Sequence, residues 1–118
     1  RQGGWTGSDC APECRHAFGT GCVAAGNYLA DSAAVERMIE AFEHSAGNEL
    51  AVRLLEALRA GERTGGDRRG RQAAAISVVS HRDSKSTAVN LDLRVDDHPD
   101  PLGELVRLHG LFRREFRG

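Results

Sequence analysis

The segment from Val89 to Pro101, VNLDLRVDDHPDP, constrains the fold more than any other part of the sequence. Its first seven residues alternate apolar and polar side chains, which is the pattern of a strand with one buried face. Asp100 followed by Pro101 is typical of the start of an α-helix. The charged residues at this junction form either a solvated, capped turn or a functional site. They are Asp92, Arg94, Asp96, Asp97, His98 and Asp100.

Helical periodicity predicts two helices in the first half of the chain. The first begins at Asp31 or Ser32 and ends near Gly47, and the second covers residues 49–60 and ends at Gly61. The predicted buried face of the first is Val35, Met38, Ile39 and Phe42, and that of the second is Leu50, Leu54, Leu55 and Leu58.

Strand patterns surround these helices. Short strands are predicted around residues 4–6 and 22–25, joined by an irregular loop. Residues 72–80 and 89–95 are predicted to be antiparallel strands connected by a turn at 81–87. The last helix follows Asp100, and its inner face is predicted to contain Leu102, Leu105, Val106 and either Leu108 or His109.

The order of strands, two helices, strands and a helix predicts an α+β fold with helices layered on antiparallel strands. A length of 118 residues is enough for one domain with one core, so residues 1–118 are predicted to be a single domain. The chain begins with Arg1 instead of Met, and its first residues have the pattern of the end of a strand. We therefore expect a segment upstream of it.

Composition narrows the classes of function. Sixteen basic and seventeen acidic residues give a formal net charge of −1, whereas a nucleic-acid-binding domain normally carries a basic excess. No apolar run approaches the roughly 18 residues that cross a bilayer, and there is no signal-peptide pattern. We predict a cytoplasmic protein with reduced cysteines and without nucleic-acid or membrane partners.

The acidic turn is the first candidate site. Asp96, Asp97 and His98 have the side chains that acid–base chemistry or a hard cation requires. The structural alternative is that Arg94 neutralises its acidic neighbours and Asp100 caps the following helix. Both readings stay open for this cluster.

The loop GGDRRGRQ is the second candidate. Arg68, Arg69 and Arg71 present planar guanidinium groups suited to a carboxylate or a phosphate, and the glycines free the backbone. The P-loop pattern is absent. The alternative is a solvated loop whose arginines pair with acidic groups of the same chain.

Two further candidates lie near the start of the chain. Cys10, Cys14, His16 and Cys22 have the ligand types of a zinc site, but their irregular spacing lacks paired CxxC motifs, and we predict no metal and no cofactor. Cys10 and His16 are instead candidates for substrate binding as a thiol–imidazole pair. Asn27 either caps a turn or points its amide at a ligand.

Four segments resemble a bacterial and archaeal family known as domain-of-unknown-function family 1028. They are TGSDC at 6–10, GNYLADSAAVERMIEAFE at 26–43, LLEALRAGERTGGDRRGRQAAAISVV at 54–79 and LDLRVDDHPDPLGELVRL at 91–108. RVDDHPDP and GGDRRGRQ are the most specific parts. The family's segment after TGS is similar to CIPWAGH. Cys10, Pro12 and His16 match it, whereas Glu13, Cys14 and Arg15 do not.

The resemblance implies an N-terminal-nucleophile-hydrolase-like fold, a four-layer αββα sandwich, of which this chain is the C-terminal half. In such hydrolases the first residue is both nucleophile and base, so the nucleophile would lie outside this chain. An amidohydrolase acting on a small or cell-wall-derived amide would use Asn27 to polarise the carbonyl and the Arg68–Arg71 loop to hold an anionic end of its small-molecule substrate. Asp96, Asp97 and His98 would orient groups near the site.

The alternative is a non-catalytic binding or scaffold domain with the same fold, in which the arginine loop and the acidic turn form an interface. The expected partner is a second copy of the chain or a complementing N-terminal segment. A metal-binding module built from the cysteines or the aspartates is a third reading.

Overall fold

A computed structural model describes residues 15–26, 29–67, 70–83 and 86–116. The strands are β1 Arg15–Gly19, β2 Cys22–Gly26, β3 Ala74–Asp83 and β4 Ser86–Val95, and the helices are α1 Ala34–His44, α2 Leu50–Arg63 and α3 Pro101–Phe116. Within the described residues, β1 pairs with β2 and β3 pairs with β4, and both pairs are antiparallel. The predicted α+β class is confirmed. The chain divides into two compact units, Arg1–Gly70 and Arg71–Gly118.

In the first unit, the β1–β2 hairpin packs one face on α1. Ala17 lies opposite Ala24, and both contact a core cluster around Val35. Phe18 lies opposite Val23 on the other face of the hairpin, where their exposed fractions are 46% and 52%. The hairpin therefore has one face against a helix, and its second face carries two exposed apolar side chains, Phe18 and Val23, beside His16.

Strand β1 occupies residues that we predicted to be an irregular loop. Residues 20 and 21 make a two-residue connection, and Gly21 has a φ of +71°, a backbone conformation that glycine adopts without strain. The predicted strand around 22–25 is confirmed as β2. The predicted strand at residues 4–6 lies outside the described residues.

Helix α1 forms as its periodicity predicts, with Val35, Ile39 and Phe42 buried. The Asp31 carboxylate accepts a hydrogen bond from the Ala33 N–H at 2.9 Å, two residues along, so it shapes the turn before the helix. The helix ends at His44, before Gly47. Ser45 follows the last helical residue, and its hydroxyl donates to the carbonyl of residue 41 at 2.8 Å.

The prediction that Gly61 ends α2 is wrong, because the helix continues to Arg63. Gly61 is buried inside the helix, and a Cβ there would lie 3.0 Å from the Met38 sulfur, so glycine permits the close approach of α1 and α2. The glycine that terminates the helix is Gly65, two residues beyond its end, which has a φ of +103°. The Gly65 N–H donates to the Glu62 carbonyl and the Gly66 N–H to the Gly61 carbonyl, which is a Schellman motif.

The buried face of α2 also differs from the predicted leucine face. Leu55 is buried as predicted, whereas Leu50 is 45% exposed and Leu54 and Leu58 are half-buried. Small side chains fill the rest of the contact because α1 approaches closely. The buried residues of α2 are Ala51, Leu55, Ala57, Ala60 and Gly61.

In the second unit, β3 and β4 are longer than predicted and extend into the expected turn at 81–87. Their register places Ala74 opposite Val95 and Ile76 opposite Leu93. One face of the hairpin contributes buried Ile76, Leu91 and Val95, and α3 contributes buried Leu102, Leu105 and His109. The opposite face exposes Ala75, Ser77, Asp92 and Arg94.

The last helix begins at Pro101 as predicted, and His109 instead of Leu108 completes its inner face. No helix within the described residues is long and apolar enough to cross a membrane.

Candidate functional site

The acidic turn connects the end of β4 to the start of α3, and the antiparallel register places residues 71–73 beside it. Ala74 pairs with Val95, so the chain before β3 runs next to the chain after β4. The His98 N–H donates to the Gln72 carbonyl at 3.0 Å, which extends this pairing past the strands. We call residues 71–73 and 96–107 the polar corner.

Asp97 turns the chain at this corner. Its φ is +54°, and it is the one non-glycine residue with a positive φ among the described residues. Asp tolerates the left-handed region better than most residues because its short side chain bonds locally. Here the Gln72 amide nitrogen donates to the Asp97 carboxylate at 3.3 Å. The side chain of Asp97 therefore holds the turn against the start of β3.

His98 is half-buried and fixed from both sides. Its Nδ1 accepts a hydrogen bond from the Asp100 N–H at 2.8 Å, so the proton of the neutral ring lies on Nε2. Nε2 lies 4.0 Å from a carboxylate oxygen of Glu104. The imidazole is thus oriented by the backbone and directed towards a carboxylate.

Asp100 has two partners in the polar corner. Its carboxylate accepts a hydrogen bond from the Gly103 N–H at 3.2 Å, as expected of a residue that caps α3. The same oxygen lies 3.2 Å from a guanidinium nitrogen of Arg71. A Cβ at position 103 would collide with the Asp100 carboxylate, so Gly103 makes room for the cap.

Glu104 and Arg107 complete the polar corner, and neither was among the predicted site residues. The Arg107 Nε donates to both Glu104 oxygens at 3.0 Å, and a terminal guanidinium nitrogen donates to one of them, so two donors form the ion pair. This hydrogen bond lowers the pKa of the Glu104 carboxyl and raises the pKa of the Arg107 guanidinium. Their separation of three residues on a predicted helix was the available signal. The Glu104 carboxylate therefore pairs with Arg107 and also lies 4.0 Å from the His98 Nε2.

The other predicted site residues are placed as follows. Asp96 is exposed and lies 3.4 Å from Arg94, in a surface ion pair apart from the hydrogen bonds of the polar corner. His16 belongs to the other compact unit, where its ring meets that of Phe18 edge-on at 5.5 Å. Four predicted residues lie outside the described residues. They are Cys10, Asn27, Arg68 and Arg69.

The polar corner has the groups for charge pairing and proton handling, from Arg71, His98, Glu104 and Arg107. Its sequence contains no Ser, Thr or Cys, so a nucleophile of those types would have to come from elsewhere. Within the described part of the chain, no group of three His, Cys, Asp or Glu side chains is placed to hold a metal ion.

The fold and the polar corner define an α+β protein made of two hairpin–helix units, with a charge-paired junction between a strand and a helix. The profile of the family of unknown function DUF1028 matches residues 1–105, and the chain belongs to this family. The crystal structure of a Silicibacter pomeroyi protein described by the same family is similar, with 32% identity and a TM-score of 0.75. The match covers 92% of this chain and 44% of that one. A search of curated proteins found no match.

Proposed function

We propose that this chain is the C-terminal part of an N-terminal-nucleophile-hydrolase-like amidohydrolase, with a nucleophile supplied by a segment outside it. The substrate class is a small or cell-wall-derived amide, and the reaction is hydrolysis of its C–N bond in the cytoplasm. The length comparison supports the proposal, because the matched region is 44% of the longer Silicibacter pomeroyi chain.

The observation that carries the proposal is the uncovered face of the β1–β2 hairpin. A sheet that is apolar on both faces is typical of a middle layer, with a helix on one side and a second sheet on the other. Helix α1 covers one face here, and the exposed side chains of Phe18 and Val23 make much of the other face apolar. This arrangement fits one α and one β layer of a four-layer αββα sandwich.

The polar corner has a supporting role in this proposal. The Asp100 N–H orients the His98 ring, the Gln72 side-chain amide donates to Asp97, and Arg71 lies in an exposed ion pair with Asp100. With Asp96 they would orient groups around the reactive centre. Asn27 would polarise the scissile carbonyl, and the loop that includes Arg68, Arg69 and Arg71 would hold an anionic end of the substrate. Cys10 and His16 stay candidates for substrate binding.

The experiment uses the complete gene product and a panel of small amides. If the residue after the initiator Met is Thr, Ser or Cys, its replacement by Ala is expected to abolish amide turnover, because nucleophile and base are lost together. Unchanged turnover in that variant would remove the proposal. Another residue type at that position favours the non-catalytic alternative.

The alternative is a non-catalytic binding or scaffold domain, and the hydrogen bonds of the polar corner favour it. Asp97, His98 and Asp100 each have a local structural partner that accounts for their presence. His98→Asn separates the two functions, because an Asn oxygen replaces Nδ1 as acceptor for the Asp100 N–H but carries no imidazole. A scaffold retains its stability and its ligand binding in this variant, whereas the hydrolase loses turnover.

A further inference from the structure

A cleft of about 370 Å³ lies in the first unit, between one side of α1 and the end of α2. Ala41 and Ala60 line it where larger side chains would fill the space. Its volume is within the usual range for small-molecule sites, roughly 300–1,000 Å³. The cleft belongs to a different unit from the polar corner and has no part in the proposed hydrolysis.

Two arginines, Arg37 and Arg63, line the cleft together with one acidic residue, Glu40, and with His44. Glu40 is engaged by Arg37, whose guanidinium nitrogen lies 2.7 Å from its carboxylate. Among the described residues, Arg63 has no ion-pair partner. One guanidinium is therefore available for an anion, and a second lies beside it.

The end of a helix normally repels anions, because its last carbonyls carry partial negative charge. In α2 these carbonyls are already engaged. The Ala60 carbonyl accepts from both the N–H and the hydroxyl of Thr64, and the Gly61 and Glu62 carbonyls accept from the two glycines that follow. The electrostatic character of the cleft is therefore set by the arginines.

We propose that this cleft binds a small molecule bearing an oxyanion, either a carboxylate or a phosphate group. The Arg63 guanidinium is the principal ligand, because its planar fork matches two oxygens of either group. Arg37 exchanges part of its contact with Glu40 for the anion, and the His44 ring borders the same space. Thr64 contributes packing only, since its hydroxyl donates to the Ala60 carbonyl.

The test is an NMR titration of backbone amides with inorganic phosphate and, separately, with malonate, at neutral pH and constant ionic strength set with chloride. Saturable shifts at residues 37–44 and 60–64 are expected with at least one of the two probes. If only one of the two probes gives saturable shifts, that probe identifies the oxyanion that the cleft prefers. Arg63→Gln is expected to weaken binding by about tenfold or more, since it removes a charge-assisted bidentate contact.

Two further variants complete the test. Arg59→Gln removes an arginine of the same helix that pairs with Glu56 outside the cleft, and its binding is expected to equal that of the unchanged chain. Ala41→Leu narrows the cleft without changing its charge and is expected to weaken binding, which keeps the proposal testable if Arg63→Gln fails to fold. Shifts no larger than those with chloride alone, or full binding by Arg63→Gln or Ala41→Leu, would overturn the proposal.

Discussion

The two hairpins of this protein have the same architecture but differ in the face that their helix does not cover. Each is an antiparallel pair with a helix on one face, α1 on β1–β2 and α3 on β3–β4. Among its described residues, the second hairpin is mainly polar on the face away from α3, with Ser77 opposite Asp92 and Ala75 opposite Arg94, and Val79 of β3 is its one large exposed apolar side chain. The first presents Phe18 and Val23 at the equivalent place. The second hairpin buries most of its apolar surface against its single helix. The first leaves apolar side chains exposed on its other face, as is typical of a sheet in the middle of a layered sandwich.

The second hairpin buries Ile76, Leu91 and Val95 on the face that meets α3. In the first hairpin, Phe18 and Val23 leave apolar surface exposed on the face away from α1.

The largest effect is expected at Leu105, which is fully buried where α3 meets the second hairpin. Leu105→Ala should lower the free energy of unfolding by about 2–5 kcal/mol, because it removes buried methyl groups and leaves a cavity. Chemical denaturation measures the loss. Leu111→Ala, at an exposed position of the same helix, should change it by less than about 0.5 kcal/mol. Equal losses in the two variants would show that α3 does not form the core of its unit.

Asp100→Ala should be the next largest change. It removes the cap of α3, which is worth about 0.5–2 kcal/mol, and the ion pair with Arg71, which adds little at an exposed site. Asp100→Asn keeps the cap but loses the charge, so it should recover most of the stability in thermal denaturation. If Asp100→Asn lowers the stability as much as Asp100→Ala, the ion pair with Arg71 and not the cap accounts for the contribution of Asp100 to stability.

A matched pair of glycines compares the helices of the two units. A Cβ at Gly110 of α3 would meet nothing within 4 Å, so Gly110→Ala should gain up to about 1 kcal/mol from helix propensity. A Cβ at Gly61 of α2 would press on Met38 at 3.0 Å, so Gly61→Ala should gain less or lose stability. Thermal denaturation of the two variants gives the sign of each change in stability. Equal gains would contradict the close packing of α1 on α2.

The smallest effect concerns pH. The folded pKa of Glu104 is lowered, so its contribution to stability is present above the unfolded pKa and is lost as pH falls through the folded pKa. The difference in stability between the unchanged chain and Glu104→Gln should therefore be largest near neutral pH and vanish in acid. Acid titrations followed by circular dichroism measure it. Glu56→Gln, which breaks the looser 3.7 Å pair with Arg59 on α2, should have a smaller effect at neutral pH.

The sequence predicted those features that depend on residues close together in the chain. The apolar stripe of α1, the pairing of β3 with β4 and the cap at Asp100 all follow from local periodicity and side-chain chemistry. Features set by tertiary contact were missed. Gly61 is indistinguishable from a helix stop until Met38 is known to pack on it, and β1 is too short to show a clear alternation.

The residues of the candidate site also fall into those that the local sequence predicts and those that depend on tertiary contact. The turn at Asp97 and His98 was found because charge is concentrated there in the sequence. Glu104 and Arg107 were missed because a Glu and an Arg three residues apart are common on helix surfaces. Only the turn from β4 into α3 brings Glu104 within 4.0 Å of the His98 ring.

The central claim is that the outer face of the β1–β2 hairpin is made to be covered. Sedimentation velocity of the 118-residue chain over a range of concentrations tests it most directly. Uncovered, this face should make the chain associate as concentration rises, and Phe18→Thr with Val23→Thr should suppress the association. Val79→Thr, at a position of β3 that is 45% exposed, should not. A compact, monodisperse monomer of the unchanged chain at every concentration would contradict the account.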